Sequence, residues 1–154
     1  MDYWQGNRTP RKDPNARGVI FGLTMGHNIF HLTKSIYEGI SYGSRHIIET
    51  FKENSFKIDK VVVGGGGIRS YEWLRIMANI IKLPLVVPRY ADNCSLIGSC
   101  ICAAYGAKVY NSLLEASEKM VKINKIINFD KKTSEYDELY LKYLKIYDSI
   151  KELF

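Results

Sequence analysis

Four consecutive glycines at positions 64–67 form the segment of this 154-residue sequence best suited to chemistry. They follow an apolar, β-branched run at residues 58–63, which is typical of a buried parallel strand. Glycines at the carboxyl end of such a strand let the backbone approach a ligand closely and adopt positive φ. The amides before the next helix can then bind an anion. Because a tight turn alone needs at most one or two glycines, the run predicts a ligand-binding loop.

Two common phosphate-binding motifs do not fit this loop. A Walker A loop needs Lys-Ser or Lys-Thr at a fixed distance after the glycines, and neither pair follows here. The dinucleotide fingerprint needs an acidic residue that ends the next strand, and this sequence has no suitable one. The residues alone therefore indicate a phosphate-like ligand without identifying it.

Other residues are weaker candidates for chemistry. His27 and His31 are spaced as metal ligands on a helix can be, but no third ligand accompanies them, so we interpret them as helix-face histidines. Glu38, beside Gly39, is interpreted as an acid that pairs with the backbone or a basic neighbour. Three arginines of a charged loop are interpreted as solvated: Arg8, Arg11 and Arg17. We predict no catalytic residue and no metal site in this chain.

Composition and charge exclude several classes of protein. The formal net charge is +6, but the lysines are spread along the chain and mixed with acids, so nucleic-acid binding is not predicted. No apolar run approaches the roughly 18 residues that a membrane span needs, and the first residues lack a signal peptide's apolar stretch. We expect a cytoplasmic protein. The three cysteines, Cys94, Cys100 and Cys102, are expected to be buried thiols rather than disulfides.

The elements that position the glycine loop follow from hydrophobic periodicity. Helices alternate with short apolar strands, which predicts an α/β fold with parallel strands. Only two or three strands are convincing, so the domain is predicted to be truncated. The expected elements are an extended stretch at 19–21, a helix from Asn28 to Asn54, a strand at 58–63, a helix from Ser70, a strand at 83–88, helices at 95–107 and 112–120, and a C-terminal helix from Ser134 with a tyrosine stripe.

Small residues form one face of the first helix. Ser35, Gly39 and Gly43 recur every four residues, and glycine inside a helix costs about 1 kcal/mol relative to alanine. We expect a close helix or strand contact on this face as compensation.

Four motifs in order resemble the C-terminal domain of the FGGY carbohydrate kinases, most closely the xylulose kinase branch. Residues 6–18 look like the branch's Gly-Glu-Arg-Thr-Pro…Asp-Pro-Asn-Ala-Arg-Gly loop. Residues 18–38 match the family's second signature, Gly-x-Ile-x-Gly-Leu followed after seven residues by His-Leu-x-x-Ser-Ile-Tyr-Glu. Residues 64–73 resemble its Gly-Gly-Gly-Ala-Arg-Ser…Trp segment, and residues 93–104 its Ala-Leu-Gly-Ala-Ala helix. The sequence departs from the usual residues at Ile68, Asn79, Ser99 and Cys100, away from the expected phosphate contacts.

The resemblance implies a fold and an activity. The fold is the C-terminal half of an actin-like, ribonuclease H-like ATPase, with residues 1–154 as a partial nucleotide-binding domain, 1–18 as its opening loop and 133–154 as its closing helix. The family transfers the γ-phosphoryl group of ATP, with Mg2+, to a sugar hydroxyl, using an aspartate base on the N-terminal domain. The resemblance implies that the nucleotide phosphates and ribose lie against Gly65, Gly66 and Gly67. It also implies that Ser70 occupies the position where some relatives have an Asn that contacts the adenine.

Two hypotheses for the function follow from the resemblance. The first is that the chain is part of an ATP-dependent kinase for a pentulose such as D-xylulose. Its partners would then be ATP, the sugar substrate and the N-terminal kinase domain. The second is a catalytically inactive nucleotide-binding or interaction relic, which predicts nucleotide binding or self-association as a homo-oligomer without turnover. The sugar is chosen by the N-terminal domain, so these residues do not determine it.

Overall fold

The computed structural model describes the whole chain, Met1–Phe154, as two compact units. Unit 1 comprises Met1–Ile58, Ile76–Lys82 and Phe129–Phe154, and unit 2 comprises Asp59–Arg75 and Leu83–Asn128. The regular elements are, in chain order, α1 (Ile29–Glu53), β1 (Val61–Val62), α2 (Tyr71–Ile81), β2 (Leu85–Pro88), α3 (Cys94–Gly106), α4 (Leu113–Met120), β3 (Ile123–Ile127) and α5 (Ser134–Ile150).

Helix α1 begins and ends where the sequence predicts. The Asn28 side chain accepts hydrogen bonds from the amides of Phe30 and His31, and the His31 ring bonds back to the Asn28 backbone, which completes a capping box. Asn54 follows the last helical residue. His31 is therefore a capping residue rather than a helix-face histidine, and His27 lies before the helix with its ring nearly perpendicular to that of His31.

The small-residue face of α1 packs against the N-terminal segment. Gly39 and Gly43 are buried, and a Cβ at Gly43 would lie 2.6 Å from a carboxylate oxygen of Asp2. The other Asp2 oxygen accepts a 2.7 Å hydrogen bond from the Tyr143 hydroxyl of α5. The expected close contact exists, but its partner is the irregular N-terminal segment and not a helix or strand.

The tyrosine stripe of α5 packs into the core of unit 1. Tyr140 and Tyr143 are buried together with Tyr3, Ala16 and Tyr42. The Tyr42, Tyr140 and Tyr143 rings lie with their centroids 5.6–6.3 Å apart, distances at which aromatic pairs attract each other. Unit 1 is thus built from segments far apart in the sequence that meet through aromatic rings.

Arg45 joins three elements of unit 1. Its guanidinium donates to Glu49 within α1 and to Asp137 of α5, both at 2.8 Å, and to the Ile80 carbonyl of α2 at 3.3 Å. The same guanidinium lies 4.2 Å above the centroid of the Tyr140 ring. The carboxylate of Asp137 also accepts from Lys82, and these hydrogen bonds hold the pKa of Asp137 below its usual value.

Unit 2 contains a three-stranded sheet in the order β1-β2-β3. β1 pairs with β2 in parallel, with Val61 opposite Leu85, as the strand composition predicts. The sequence predicts a loop between the helix at 112–120 and the helix that starts at Ser134. Part of this segment instead forms β3, which pairs antiparallel to β2 with Leu85 opposite Ile127. The predicted parallel pairing is therefore confirmed for β1 and β2, and the prediction of a loop where β3 lies is wrong. Most of β3 is exposed, so it lacks the apolar alternation by which a strand is recognised.

Two further predictions are wrong. Residues 19–21 form no strand; the segment is irregular, and the amide of Val19 donates to the carbonyl of Met1. The cysteines Cys94, Cys100 and Cys102 are exposed free thiols and not buried ones, because no residue of α3 is fully buried. Small apolar residues on all sides of a helix indicate burial only when other elements surround it.

We expect Arg45→Met to lower the free energy of unfolding by about 2–3 kcal/mol, because it leaves the Glu49 carboxylate and the Ile80 carbonyl without their charged donor and leaves Asp137 with Lys82 alone. Urea unfolding followed by circular dichroism measures this loss. Arg8→Met, at an exposed loop position, removes the same charge and should change stability by less than about 0.5 kcal/mol. Equal effects of the two substitutions would show that Arg45 contributes only its charge.

Candidate functional site

The glycine loop follows β1 at the carboxyl ends of the two parallel strands. Gly65 has φ 85° and ψ −172°, a backbone conformation that is essentially restricted to glycine. Its amide donates a 2.7 Å hydrogen bond to the carbonyl of Ala91, in the turn that follows β2. The loop is therefore tied to the neighbouring strand's turn by its backbone, and not by side chains.

The four glycines have different surroundings. A Cβ at Gly64 would lie 3.0–3.1 Å from the Ala91 carbonyl and the Cys94 side chain, and one at Gly67 would lie 2.8 Å from the Trp73 ring. Packing therefore explains these two glycines. A Cβ at Gly65 or Gly66 would have no protein atom within 4 Å.

Gly66 is informative because neither packing nor conformation requires glycine there. Its φ is not positive and its surroundings are open. Gly66 and Gly67 begin a 3-10 turn, Gly66–Arg69, in which the first amide that can bond within the turn is that of Ile68. The open side of the loop thus presents backbone without side chains, as a site for a closely approaching ligand requires.

Ser70 starts α2. Its backbone is extended, its hydroxyl accepts a 3.3 Å hydrogen bond from the Trp73 amide, and its carbonyl accepts from the Leu74 amide. This is the geometry of an N-cap, which fixes the helix that follows the loop. The observed role of Ser70 is structural, and the predicted adenine contact at this position stays a prediction.

A shallow depression of about 280 Å3 lies beside the glycine loop in unit 2. It is bordered by the turn after β2 and by the start of β3, where Asn124 and Lys125 were not anticipated from the sequence. No sequence motif identifies these two residues, because β3 pairs with β2 through backbone hydrogen bonds, which do not depend on particular side chains. The lining residues are Ile68, Arg69, Val87, Pro88, Tyr90, Ala91, Asp92, Asn124 and Lys125.

The weaker candidates do not assemble into a second centre. Glu38 pairs with Lys34 at 3.5 Å, in agreement with its interpretation as the partner of a basic neighbour. Arg11 binds Asp148 and stacks on the Tyr147 ring, and Arg17 donates to three carbonyls of its own loop. No group of three His, Cys, Asp or Glu side chains is arranged to hold a metal ion. No helix is long and apolar enough to cross a membrane.

Sequence comparison places this loop in a known domain. Residues 1–107 match the sequence model of the "FGGY family of carbohydrate kinases, C-terminal domain". The chain belongs to the FGGY family of carbohydrate kinases. The match includes the glycine loop, Ser70 and all of α3, whereas α4, β3 and α5 lie beyond it.

Two curated relatives and one solved structure illustrate the similarity. The chain is 30% identical to the xylulose kinase of Staphylococcus xylosus over 95% of its own length and 30% of the relative's. It is 34% identical to glycerol kinase 2 of Saccharolobus solfataricus over 74% of its length and 23% of the relative's. The ligand-bound xylulose kinase of Lactobacillus acidophilus superposes with a TM-score of 0.82 at 24% identity, over 97% of this chain and 30% of that one.

These comparisons confirm the predicted family and the actin-like fold of its C-terminal domain. The chain spans about three tenths of the length of these xylulose kinases.

Replacement of Ser70 tests whether its hydroxyl caps α2. Ser70→Ala should lower the free energy of unfolding by about 1 kcal/mol, and Ser70→Asn should change it by only a few tenths, because Asn caps as well as Ser. Urea titrations of the two variants and the wild type measure both effects. Equal losses for Ala and Asn would contradict the capping role.

Glu38 gives a pH-dependent prediction. Burial raises the pKa of its carboxyl above the ordinary value. The folded protein therefore binds more protons than the unfolded chain in the window between the two pKa values, so stability falls as the pH rises through that window. Glu38→Gln should therefore raise the free energy of unfolding at pH 7. The lost pairing with Lys34 reduces this gain by about 0.3–0.5 kcal/mol.

Thermal unfolding of Glu38→Gln and wild type from pH 3 to pH 7 checks this prediction. The stability gain of the variant over wild type should shrink below about pH 4, where Glu38 is protonated and therefore uncharged, like the glutamine that replaces it. Glu118→Gln, at an exposed site on α4, is the control and should show no such trend. A variant that is less stable than wild type at pH 7 would contradict the argument.

Proposed function

We propose that this chain supplies the nucleotide-binding side of the active-site cleft of an ATP-dependent sugar kinase. The observation that carries the proposal is the open pair Gly65–Gly66, where a Cβ would meet no protein atom although Gly64 and Gly67 are enclosed. A loop that only turned the chain would need glycine at Gly65 for its conformation, but not at Gly66. Close approach of a ligand accounts for both.

The chemistry of this loop is to hold and orient. In phosphoryl transfer the protein mainly positions the reactants and stabilises charge, and backbone amides do both without a charged side chain. The proposed ATP-binding residues are Gly65, Gly66, Gly67 and Ser70, with the phosphates and ribose against the glycines. Mg2+ would accompany ATP, and this chain offers no cluster of acidic ligands for it.

The remainder of the active site lies outside these residues in our proposal. The base and the sugar site would belong to the part of a kinase that has no counterpart here. A pentulose such as D-xylulose is the proposed acceptor, because the Staphylococcus xylosus relative is named a xylulose kinase. The cytoplasm, where such kinases meet ATP, is the proposed location.

A second candidate is a nucleotide-binding or interaction module without turnover. It is favoured by one observation, the lack of any acid–base pair among the described side chains. Assay of ADP release with pentuloses, after co-expression with the rest of a xylulose kinase, separates the candidates. Turnover with any pentulose supports the kinase, and ATP binding without turnover supports the module.

Gly66→Ala is the sharpest test of the nucleotide site. The methyl group enters open space, so the free energy of unfolding should change by less than about 0.5 kcal/mol. It should nevertheless weaken ATP binding at least tenfold, because it keeps the phosphates or ribose from the backbone. Titration calorimetry with ATP measures the affinity.

Gly106→Ala is the matched control for this test. Gly106 ends α3, also has no atom within 4 Å of a Cβ, and lies away from the loop in sequence. It should bind ATP as the wild type does. No heat with the wild-type chain would contradict nucleotide binding, and equal affinity for Gly66→Ala and wild type would move the site away from this loop.

A further inference from the structure

The glycine loop brings no positive charge of its own to the proposed nucleotide site. Between Gly64 and Ile68 it offers backbone amides and no charged side chain, whereas the three phosphate groups of ATP carry several negative charges. Hydrogen bonds from lysine or arginine to phosphate are about twice as strong as those between neutral groups. A cation beside the loop would therefore add strongly to its affinity for ATP.

Two cations border the depression beside the loop, Arg69 and Lys125. The only carboxylate in the lining is that of Asp92, and neither cation forms an ion pair with it or with another acid. The loop and the depression both belong to unit 2. The depression is thus net positive, and its charge is free to attract an anion.

A β-bulge in β3 directs two side chains to this depression. Lys125 lies opposite Val87 of β2. The next pair is Ile123 with Pro88, which leaves Asn124 without a partner in the ladder. Successive residues of a regular strand point to opposite faces of the sheet, but a bulge breaks this alternation. Both Asn124 and Lys125 consequently border the same depression.

The position of the bulge fits a role in binding. Bulges often lie next to active sites, where they redirect a side chain. Pro88, opposite the bulge, has no N–H to donate to the ladder, and prolines within sheets occur at bulges and edges. The bulge lies beyond residues 1–107, which match the family model, so it belongs to this chain's own structure and to no motif of that model.

An aromatic ring holds the Lys125 ammonium group beside the loop. Its Nζ lies 5.5 Å from the centroid of the Tyr71 ring, within the range of a cation–π contact. Tyr71 is the first residue of α2 and directly follows Ser70, where the loop ends. The face of a ring attracts the ammonium without accepting a conventional hydrogen bond, so the N–H donors of Lys125 stay available for phosphate oxygens.

We propose that Lys125 and Asn124 contact the phosphate groups of the nucleotide that the glycine loop holds. The inference rests on the proposed function, because it adds two side chains to the same nucleotide site. Lys125 supplies a positive charge with N–H donors, and the Asn124 amide supplies a further donor. Both are binding residues, which hold the phosphates and exchange no proton with them.

Lys125→Met tests the charged contact, because methionine keeps a similar length and removes the charge. The variant should bind ATP about fivefold more weakly than the wild-type chain, or weaker still, at a salt concentration of about 0.05 M. The difference should shrink at about 0.5 M, where salt screens the attraction that the variant has lost. Titration calorimetry at both salt concentrations measures the affinities.

Asn124→Asp tests the second contact at constant side-chain shape. It should weaken ATP binding by about tenfold or more, because a carboxylate at this position repels the phosphates. Asn124 is exposed and has no partner in the ladder, so the fold does not depend on its amide. An unchanged circular dichroism spectrum checks that the variant is folded.

Lys122→Met is the matched control for Lys125→Met. Lys122 precedes β3, is exposed, and borders no part of the depression, although its replacement removes the same charge. The control should bind ATP within about twofold of the wild-type chain, since exposed charges at a distance are screened. An equal loss of affinity in Lys122→Met and Lys125→Met would overturn the inference, because net charge alone would then account for it.

Gly66→Ala in the same titrations keeps this inference separate from the proposed function. ATP binding that Gly66→Ala weakens and Lys125→Met leaves unchanged would overturn the inference and leave the proposed site intact. No ATP binding by the wild-type chain would contradict the proposed function itself. Inorganic triphosphate, titrated in parallel, identifies the anion: binding of triphosphate without binding of ATP would overturn the inference, because the ligand would then not be a nucleotide.

Discussion

The guanidinium of Arg45 is the interaction on which unit 1 depends. Three elements that the sequence separates by dozens of residues meet at this one group: α1, the end of α2 and α5. A planar group with five donors can satisfy two carboxylates and a carbonyl at once while its face rests on a tyrosine ring. The aromatic rings beside it pack on one another without directional bonds, so the arginine fixes how α1, α2 and α5 fit together. Lysine has neither the several N–H donors in fixed directions nor the planar group that this role requires.

The N-terminal segment is held in unit 1 by a related device. The Asp2 carboxylate fills the gap left by Gly43 and accepts from Tyr143, and the Asp13 carboxylate accepts from Tyr147 at 2.8 Å. Two tyrosines of α5 thus bind two acids of the opening loop. Side chains of α5 that make an apolar stripe in sequence also present hydroxyl groups to the loop, and this explains why tyrosine rather than leucine is used there.

The glycine loop of unit 2 is a candidate binding surface that is made almost without side chains. Gly64 and Gly67 are small because Cys94 and Trp73 pack against them, and Gly65 is glycine because its backbone conformation demands it. Gly66 has no such requirement within the chain. In our proposal, contact with a ligand accounts for glycine at this position.

The sequence by itself determined the helices, the first two strands, the loop and the family. Capping residues such as Asn28 and Ser112, and the periodic apolar residues of α2 and α5, act over one or two turns and so can be read locally. The glycine run identified the candidate site for the same reason. What could not be read locally was β3, the exposure of α3 and its cysteines, and the function of Arg45.

Only the tertiary structure decided which glycines are enclosed and which are open, because that depends on Ala91, Cys94 and Trp73, which reach the loop through folding. It also decided that the small face of α1 receives Asp2 and that Asn124 and Lys125 border the depression beside the loop. These are contacts between distant segments, and no local pattern encodes them. Residue type and spacing fix what a segment can do, whereas long-range packing fixes what it meets.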